Sequence, residues 1–492
     1  VALVLVPQSL AYAVLAGLPP VFGLYAAALP PLVAALFTSS RYLQTGPVAI
    51  TSLLTLAALS PLATPGSADY LHLAPLLALV VGLCRLAIGL LRAGFVAYLM
   101  SQPVLLGFTS AAALLIVASQ LPVMLGLPGA PGHLWLALAE ALTAPAGWSL
   151  VELALGGGTV GLIVRGRRVH PLFPGVLLAA LLGVVFARFS GLPVATVGAL
   201  PAAWPAWRLD LDVGALRQLL VPGLVIALIG FAEPAAIART LAARNRQHWS
   251  ANRELLSQGM ANLAAATVGA FPVGGSFSRT MVNQLAGGRT AWSGAVTGLT
   301  VVLLLPFADW LASLPKAVLA GIIVASVLGL IQPRALLDVL KVSRAQGLVG
   351  LATFGLTLGL APRIDQAVML GIGLGVAVHL WRERRISVAV AYDAKRALLR
   401  LTPAGVLYFG AVNVFEEALL AELSKRPAAQ HLVLDLRHLG RLDYTGALVL
   451  KRLAEDAMAG GLAVQVIPGQ APQGGRLLRR VFGEDSPILG GE

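Results

Sequence analysis

Residues 274–290 read GGSFSRTMVNQLAGGRT, and residues 45–59 read TGPVAITSLLTLAAL. In each, a short glycine-bearing run interrupts an apolar chain and leads into a helix-compatible segment shorter than a full bilayer span. Pro47 stands where a first helical turn would begin, a place where its missing N–H costs nothing. Ser276 is a good N-cap. Extended, glycine-containing backbone at membrane depth is tolerated where it is buried in protein or lines a cavity. A helix that starts there turns free N–H groups, and about half a positive charge, into that cavity. Two such starts facing each other make an anion site.

The rest of the chain supplies the membrane setting. Of 492 residues, 58% are hydrophobic and 12% are charged, about half the charged fraction of a soluble domain, and mean hydropathy is +0.83. The charges gather after Trp381, which implies one membrane domain and one water-facing domain. The net charge of +13 does not indicate nucleic acid, because the arginines occupy short loops between apolar runs, as the positive-inside rule expects. The single cysteine, Cys84, excludes a disulfide within the chain and reads as a packing residue. No secretory signal is visible, and the start at Val1 inside an apolar run leads us to expect a short cytoplasmic segment ahead of it.

A spanning helix needs roughly 20 apolar residues. Full-length candidates lie near 19–37, 73–92, 103–121, 150–165, 174–190, 253–270, 290–311, 315–331, 345–361 and 364–382. Four more, 1–16, 46–60, 221–241 and 276–288, are short or broken by Gly, Pro or a polar residue, giving fourteen. With both termini cytoplasmic, the inner loops carry Arg41, Arg92, Arg165, Arg167, Arg168, Arg239, Arg244, Arg246, Arg253, Arg289, Arg334, Lys341 and Arg344; the outer loops carry only Arg188, Arg208, Arg217, Lys316 and Arg363. The broken segments occupy the first and third places in each half of seven, and an odd-numbered repeat inserts upside down relative to its copy. Interrupted helices at matching places in two halves point to a transporter's binding site. Gly157-xxx-Gly161 and Gly371-xxx-Gly375 read as close helix-packing sites.

After Arg382, Glu383, Arg384 and Arg385, the pattern becomes strands at 386–392, 398–409, 431–436 and 462–467 with helices at 413–424, 445–459 and 476–483. The expected division is therefore a membrane domain over 1–385 and a cytoplasmic α/β domain over 386–492.

Three polar groups in the apolar part stand out. Arg279, one turn into the second short helix, is costly at mid-bilayer, about 2.5–3.5 kcal/mol on insertion scales; it reads as an attractor of the anion, or else as a structural ion pair. Glu233, before Pro234, is a candidate proton or cation site, or else a fixed partner for Arg279. Gln8, Ser9 and Tyr12 can hydrogen-bond a polar substrate or a neighbouring helix.

The run PQSLAYAVLAGLPPVFGLY at 7–25, with GPVAITSLLT at 46–55 and GGSFSRTMVNQLAGGRT at 274–290, resembles the signature of the sulfate permease (SulP) anion transporter family. LVLDLRHLGRLDYTGALVL at 432–450 resembles a STAS domain. The resemblance implies a multi-pass α-helical membrane protein of 14 transmembrane segments in two inverted 7-segment repeats, forming core and gate domains, with a C-terminal α/β STAS domain of bacterial type. Carried over by motif, it implies that Gln8, Tyr12, Val48, Ala49, Ser276, Phe277, Ser278 and Arg279 surround the substrate between the third and tenth segments, with Glu233 beside them as the cation-coupling residue. It further implies a small inorganic or carboxylate anion as cargo, a proton or sodium ion as its partner, a homodimer in lipid, and a place in a bacterial inner membrane. No cofactor, metal or nucleic acid is expected. Where anti-sigma-factor antagonists carry a phosphoserine this chain has Thr445, which reads as a modification site or as a helix cap. Two alternatives stay open: a nucleobase–cation symporter of the same fold, and a membrane-anchored signalling scaffold. An enzyme is disfavoured, because no metal cluster, phosphate loop or nucleophile–base constellation is visible.

Overall fold

The computed structural model describes residues 1–98, 100–127, 134–200, 211–383, 386–469, 472–483 and 486–490. Arg208, Arg384 and Arg385 lie outside these residues. The chain forms two compact units, Val1–Gly375 and Val376–Glu492.

The first unit holds α1 (Ala2–Leu15), α2 (Val21–Phe37), α3 (Ala49–Leu59), α4 (Ala68–Leu90), α5 (Gln102–Met124), α6 (Leu134–Thr143), α7 (Leu150–Val169), α8 (Gly175–Phe189), α9 (Val213–Arg244), α10 (Ala251–Thr267), α11 (Phe277–Leu285), α12 (Trp292–Leu304), α13 (Lys316–Val327), α14 (Pro333–Val342) and α15 (Arg344–Gly359), and most of α16 (Ile364–Glu383). Two three-residue strands, β1 (Gln44–Gly46) and β2 (Gly274–Ser276), precede α3 and α11. Each of the fourteen expected segments contains a helix. Among the described residues six stretches are long and apolar enough to cross a membrane, including Ala68–Leu90, Gln102–Met124 and Val213–Arg244.

Three features differ from expectation. The segment expected to break near 221–241 is part of one helix of 32 residues, continuous through Pro222 and Pro234. Helices α6 and α14 were not expected. At 10 residues each, both are too short to register as spans, and α14 is amphipathic, setting Arg334, Asp338 and Lys341 against Leu336 and Leu340, so hydropathy alone passes over it.

The unit's outer face is apolar. On α8, Val176, Ala179, Ala180 and Gly183 are buried while Leu181, Leu182, Val185 and Phe189 are exposed, the arrangement of a helix that meets lipid on its outer side. Close helix approach relies on small residues. A Cβ at Gly23 of α2 would lie 1.8 Å from the Ser9 carbonyl oxygen of α1. Gly82 and Gly259 similarly bring α4 and α10 together: a Cβ at either would lie 3.0 Å from a backbone nitrogen of the other helix, inside van der Waals contact. Gly371 packs on Thr353 as expected, but Gly157 faces open space; its neighbour Gly156 makes the contact instead, against Met124 and the Ala317 carbonyl.

The second unit is built on a five-stranded sheet in which β3 (Ser387–Asp393), β4 (Leu398–Leu407), β5 (His431–Asp435) and β7 (Ala463–Ile467) lie side by side in that order, and β6 (Leu439–Leu442) also pairs with β4. Only the β3–β4 pair is antiparallel. Helices α17 (Val412–Lys425), α18 (Tyr444–Ala459) and α19 (Pro472–Phe482) accompany it. Ala447, Leu450, Leu453, Ala454 and Ala457 form the buried stripe of α18, at the spacing an amphipathic helix needs. They meet Leu399, Leu401, Leu432, Leu434 and Phe415 in a separate apolar core. Asp443, not Thr445, caps α18: its Oδ1 accepts from Gly446 N at 2.7 Å and its Oδ2 from Phe409 N at 3.1 Å. Thr445 is exposed on the first turn.

Two predictions follow from this packing. Gly23→Ala forces α1 from α2 and should destabilise the first unit at or above the upper end of the roughly 1–3 kcal/mol typical of overpacking; thermal unfolding in detergent measures it. In the second unit, Asp435 is 2% exposed and accepts from Arg437 Nε at 2.9 Å and Nη2 at 2.6 Å. These hydrogen bonds hold its carboxyl below the ordinary carboxylate range. A carboxyl depressed by folding stabilises the fold above its unfolded pKa, and the contribution disappears as pH falls through its folded value. Because Arg437 is half-exposed, about 1 kcal/mol is expected. Asp435→Asn should lower the stability of this unit at pH 7 by that amount and flatten its acid dependence, as read by calorimetry across pH.

Candidate anion-binding site

Strands β1 and β2 pair antiparallel, with Gln44 opposite Ser276, Thr45 opposite Gly275 and Gly46 opposite Gly274. Because the strands run in opposite directions and each continues directly into its helix, α3 and α11 leave the pair in opposite senses. The two half-helices thus start at opposite ends of one three-residue ladder. All six paired residues are buried. Buried backbone must find partners, and side chains from the surrounding helices supply those the ladder does not. Thr280 Oγ1 accepts from Gln44 N at 3.0 Å. Asn262 of α10 both accepts from Val273 N and donates to Val273 O at 3.0 Å. Gln258 Nε2 donates to Thr45 Oγ1 at 2.8 Å.

The two helix starts differ in their caps. Ser276 Oγ accepts from Arg279 N at 3.4 Å. At α3 the N-cap is Val48, in extended conformation and with no side-chain acceptor, so the first N–H groups of α3 stay available to a ligand.

Tyr12, Val48, Ala49, Glu233, Ser276, Phe277 and Ser278 line one cavity of about 640 Å³. They come from α1, α3, α9 and the β2–α11 junction. The rest of the lining comes from α5, α7 and the α13–α14 region, among them Thr109, Arg167, Ser326 and Gln332. Phe277, 54% exposed, projects into this space. Glu233 is half-buried on the α9 wall.

Two expected residues do not line the cavity. Gln8 is wholly buried and donates from Nε2 to Ser326 Oγ at 3.2 Å, so it touches the cavity through Ser326. Arg279 is 1% exposed and lies against Gly46, where a Cβ would be 3.4 Å from Nη2. None of its three guanidinium nitrogens has a hydrogen-bond partner among the described residues. The reason lies in the faces of α11: Ser278, Met281, Val282 and Leu285 turn to the cavity, whereas Arg279, Thr280 and Asn283 turn to the strand pair. Ser9 bonds its own helix, Oγ to Val6 O at 2.7 Å, and presents nothing to the cavity.

Sequence reasoning passed over Ser326, Arg167 and Arg244 as cavity residues. Ser326 is the lone hydroxyl in the apolar run GIIVASVLGL, a signal that was legible. Arg167 and Arg244 looked like ordinary loop charges.

Paired half-helix starts beside a largely apolar cavity that carries a few polar groups, inside a unit with a lipid-compatible surface, fit the fold of a membrane transporter. The model of the sulfate permease family matches residues 1–353, and that of the STAS domain matches residues 389–469. The chain belongs to the sulfate permease family. It is an anion transporter and not an enzyme, with a C-terminal STAS domain. A probable sulfate transporter of Mycobacterium tuberculosis is 34% identical over 387 residues, covering 78% of this chain and 69% of that protein. The sodium-independent sulfate anion transporter of Bos taurus is 30% identical over 519 residues, covering 96% of this chain and 83% of its own. Among solved structures, murine solute carrier 26 family member A9 in its inward-facing state has a TM-score of 0.88 at 20% identity, covering 99% of this chain and 87% of that one. The transmembrane domain of a cyanobacterium bicarbonate transporter has a TM-score of 0.65 at 26% identity, covering 76% of this chain and 94% of that one.

If the cavity holds the anion, filling it should stop transport without unfolding the protein. Ser278→Trp sets an indole on the cavity face of α11. Uptake should fall by roughly tenfold or more, since ligand sites depend on enclosing most of the ligand surface, with melting temperature little changed. Unaltered uptake would place the site elsewhere.

Proposed function

We propose that this protein carries a small anion (sulfate, bicarbonate or a C4-dicarboxylate such as fumarate) across a bacterial inner membrane by secondary active transport. The observation that carries the proposal is the uncapped start of α3, tied by the β1–β2 pair to the start of α11 and opening on a cavity that Glu233 also lines. Backbone N–H groups at helix starts favour anions of several shapes. The names of the relatives, for sulfate and for bicarbonate, fit that range.

In this reading Val48, Ala49, Ser276 and Ser278 meet the anion, Tyr12 and Phe277 shape its enclosure, and Arg279 adds positive charge from behind β1. Gln8 orients Ser326. The α1–α3–α9–α11 wall is the core, and the α5–α7–α13 wall belongs to the gate. Movement of one against the other gives each side of the membrane access in turn. Arg167 and Arg244 mark the cytoplasmic mouth, with both termini on that side, and the working form is a homodimer in lipid. The STAS domain regulates and does not conduct. Arg279→Ala should therefore abolish or strongly reduce uptake by a folded protein, and wild-type transport by this variant would remove Arg279 from the site.

Coupling is assigned to Glu233. Moving an anion inward against a negative-inside potential is uphill by about 2.3 kcal/mol per charge per 100 mV, so an importer needs a co-transported cation. A proton or sodium ion on Glu233 removes a negative charge beside the arriving anion. Each ligand then improves the other's binding by the same factor. Purified protein in liposomes, offered a panel of anions under separate proton and sodium gradients, tests the whole reading. Glu233→Gln should keep anion exchange and lose gradient-driven accumulation. If it still concentrates the anion under an imposed gradient, Glu233 is not the coupling site. Absence of uptake for every anion by the wild-type protein would instead favour the signalling scaffold.

A further inference from the structure

Arg85 stands in the middle of the apolar run VVGLCRLAIGLL on α4 and is 0% exposed. Its guanidinium donates to three backbone carbonyls: Nε to Ala227 O at 3.2 Å, Nη1 to Val273 O at 2.9 Å and Nη2 to Ile226 O at 3.4 Å. None of these acceptors carries a charge. The seven ion pairs among the described residues all lie elsewhere.

The carbonyls do not depend on Arg85. Ile226 and Ala227 lie inside α9, where the N–H groups four residues on already serve them. Val273 O also accepts from Asn262 Nδ2 at 3.0 Å. A buried guanidinium cannot shed its proton, and an ionised group inside a membrane is costly and usually functional. Arg85 thus keeps an expensive charge where a neutral side chain would leave every acceptor satisfied.

Its position supplies the use. Gly230 packs directly on it: a Cβ there would lie 2.7 Å from Nη2 and 3.0 Å from Thr51 Cγ2. Gly274, at the β2 end of the strand pair, sits against the Gly230 carbonyl, Val48 Cγ2 and Thr51 Cγ2, all within 3.6 Å of where its Cβ would be. Val48 lines the cavity, and so does Glu233, one turn along α9 from Gly230. Gly230 and then Gly274, a thin layer with no side chains, stand between the guanidinium and Val48 at the space where the half-helices start.

We infer that Arg85 is a fixed positive charge of the anion site, acting through that layer without touching the anion and setting the preference for divalent over monovalent cargo. The inference rests on the cavity being the anion site. Coulomb attraction scales with the product of the charges, and a pair shielded from water is little screened by salt. The loss on neutralising Arg85 should therefore be squared for a doubly charged anion, whereas a purely structural role would weaken all anions alike.

The test uses the full chain in liposomes, with sulfate and chloride as probes and the half-saturating concentration of each as the readout. Arg85→Gln and Arg85→Met should fold, because no carbonyl is orphaned. At an effective dielectric near 20, they should raise the half-saturating concentration about tenfold for chloride and about a hundredfold for sulfate. Arg85→Lys keeps the charge and should retain the wild-type ratio between the two anions. Equal losses for both anions in the neutral variants would overturn the inference and leave the site reading intact. So would a folded Arg85→Lys that loses the ratio, or neutral variants that fail to fold where Arg85→Lys folds. Saturable transport of neither anion by the wild-type protein would remove the site reading and this inference with it.

Discussion

Extended backbone in a membrane interior has no water to bond to, and the whole first unit is organised around that constraint. Six residues, Gln44–Gly46 and Gly274–Ser276, leave the helical pattern at the depth where helices are otherwise obligatory. They survive by pairing with each other and through Thr280, which accepts from Gln44 N, while Gln258 holds the Thr45 hydroxyl and Asn262 holds Val273 just ahead of β2. That requirement explains why α10 carries buried Gln258 and Asn262, and why glycine recurs where the strands meet Val48, Leu43 and Pro234. A polar scaffold in lipid is stable only when it is closed on itself. The helix starts it frees are the part left over for a ligand.

Much of this was legible in the sequence because it rested on local signals. Glycine, proline and serine at 45–47 and 274–276 announced the two breaks, and the shift from long apolar runs to alternating strands and helices announced the second unit. What escaped depended on tertiary context. Proline at 222 and 234 suggested a broken segment, yet neighbours on both sides keep α9 continuous through both. The register of α11 against the strands decides that Ser278 faces the cavity and Arg279 does not, and nothing in a nine-residue helix's spacing fixes that choice. Asp443 and Thr445 were equally good cap candidates by type. Only the position of the first turn, beginning at Tyr444, selects Asp443.

Arg85 shows a different limit. As a lone cation in an apolar run it was visible, but attention to loop charges singled out Arg92, one end of the helix away. Its role depends on which backbone passes in front of it, and the residues that do so, Gly230 and Gly274, are about 145 and 189 positions distant in a chain with glycine throughout. Single-sequence reading sees side-chain chemistry well and the thickness of a wall poorly.

The strand pair also bears on how cargo size is judged. Neighbouring strands lie about 4.7–4.9 Å apart, and that spacing together with the three-residue ladder fixes the start of α3 relative to the start of α11. On the proposed reading, the positive end of the site is therefore a fixed ruler that does not open or close around anions of different bulk. On the proposed reading, discrimination by size falls to the gate side of the cavity, to Thr109, Ser326 and Gln332. A change of cargo within this architecture calls for remodelling α5 and α13 and leaves the helix starts as they are.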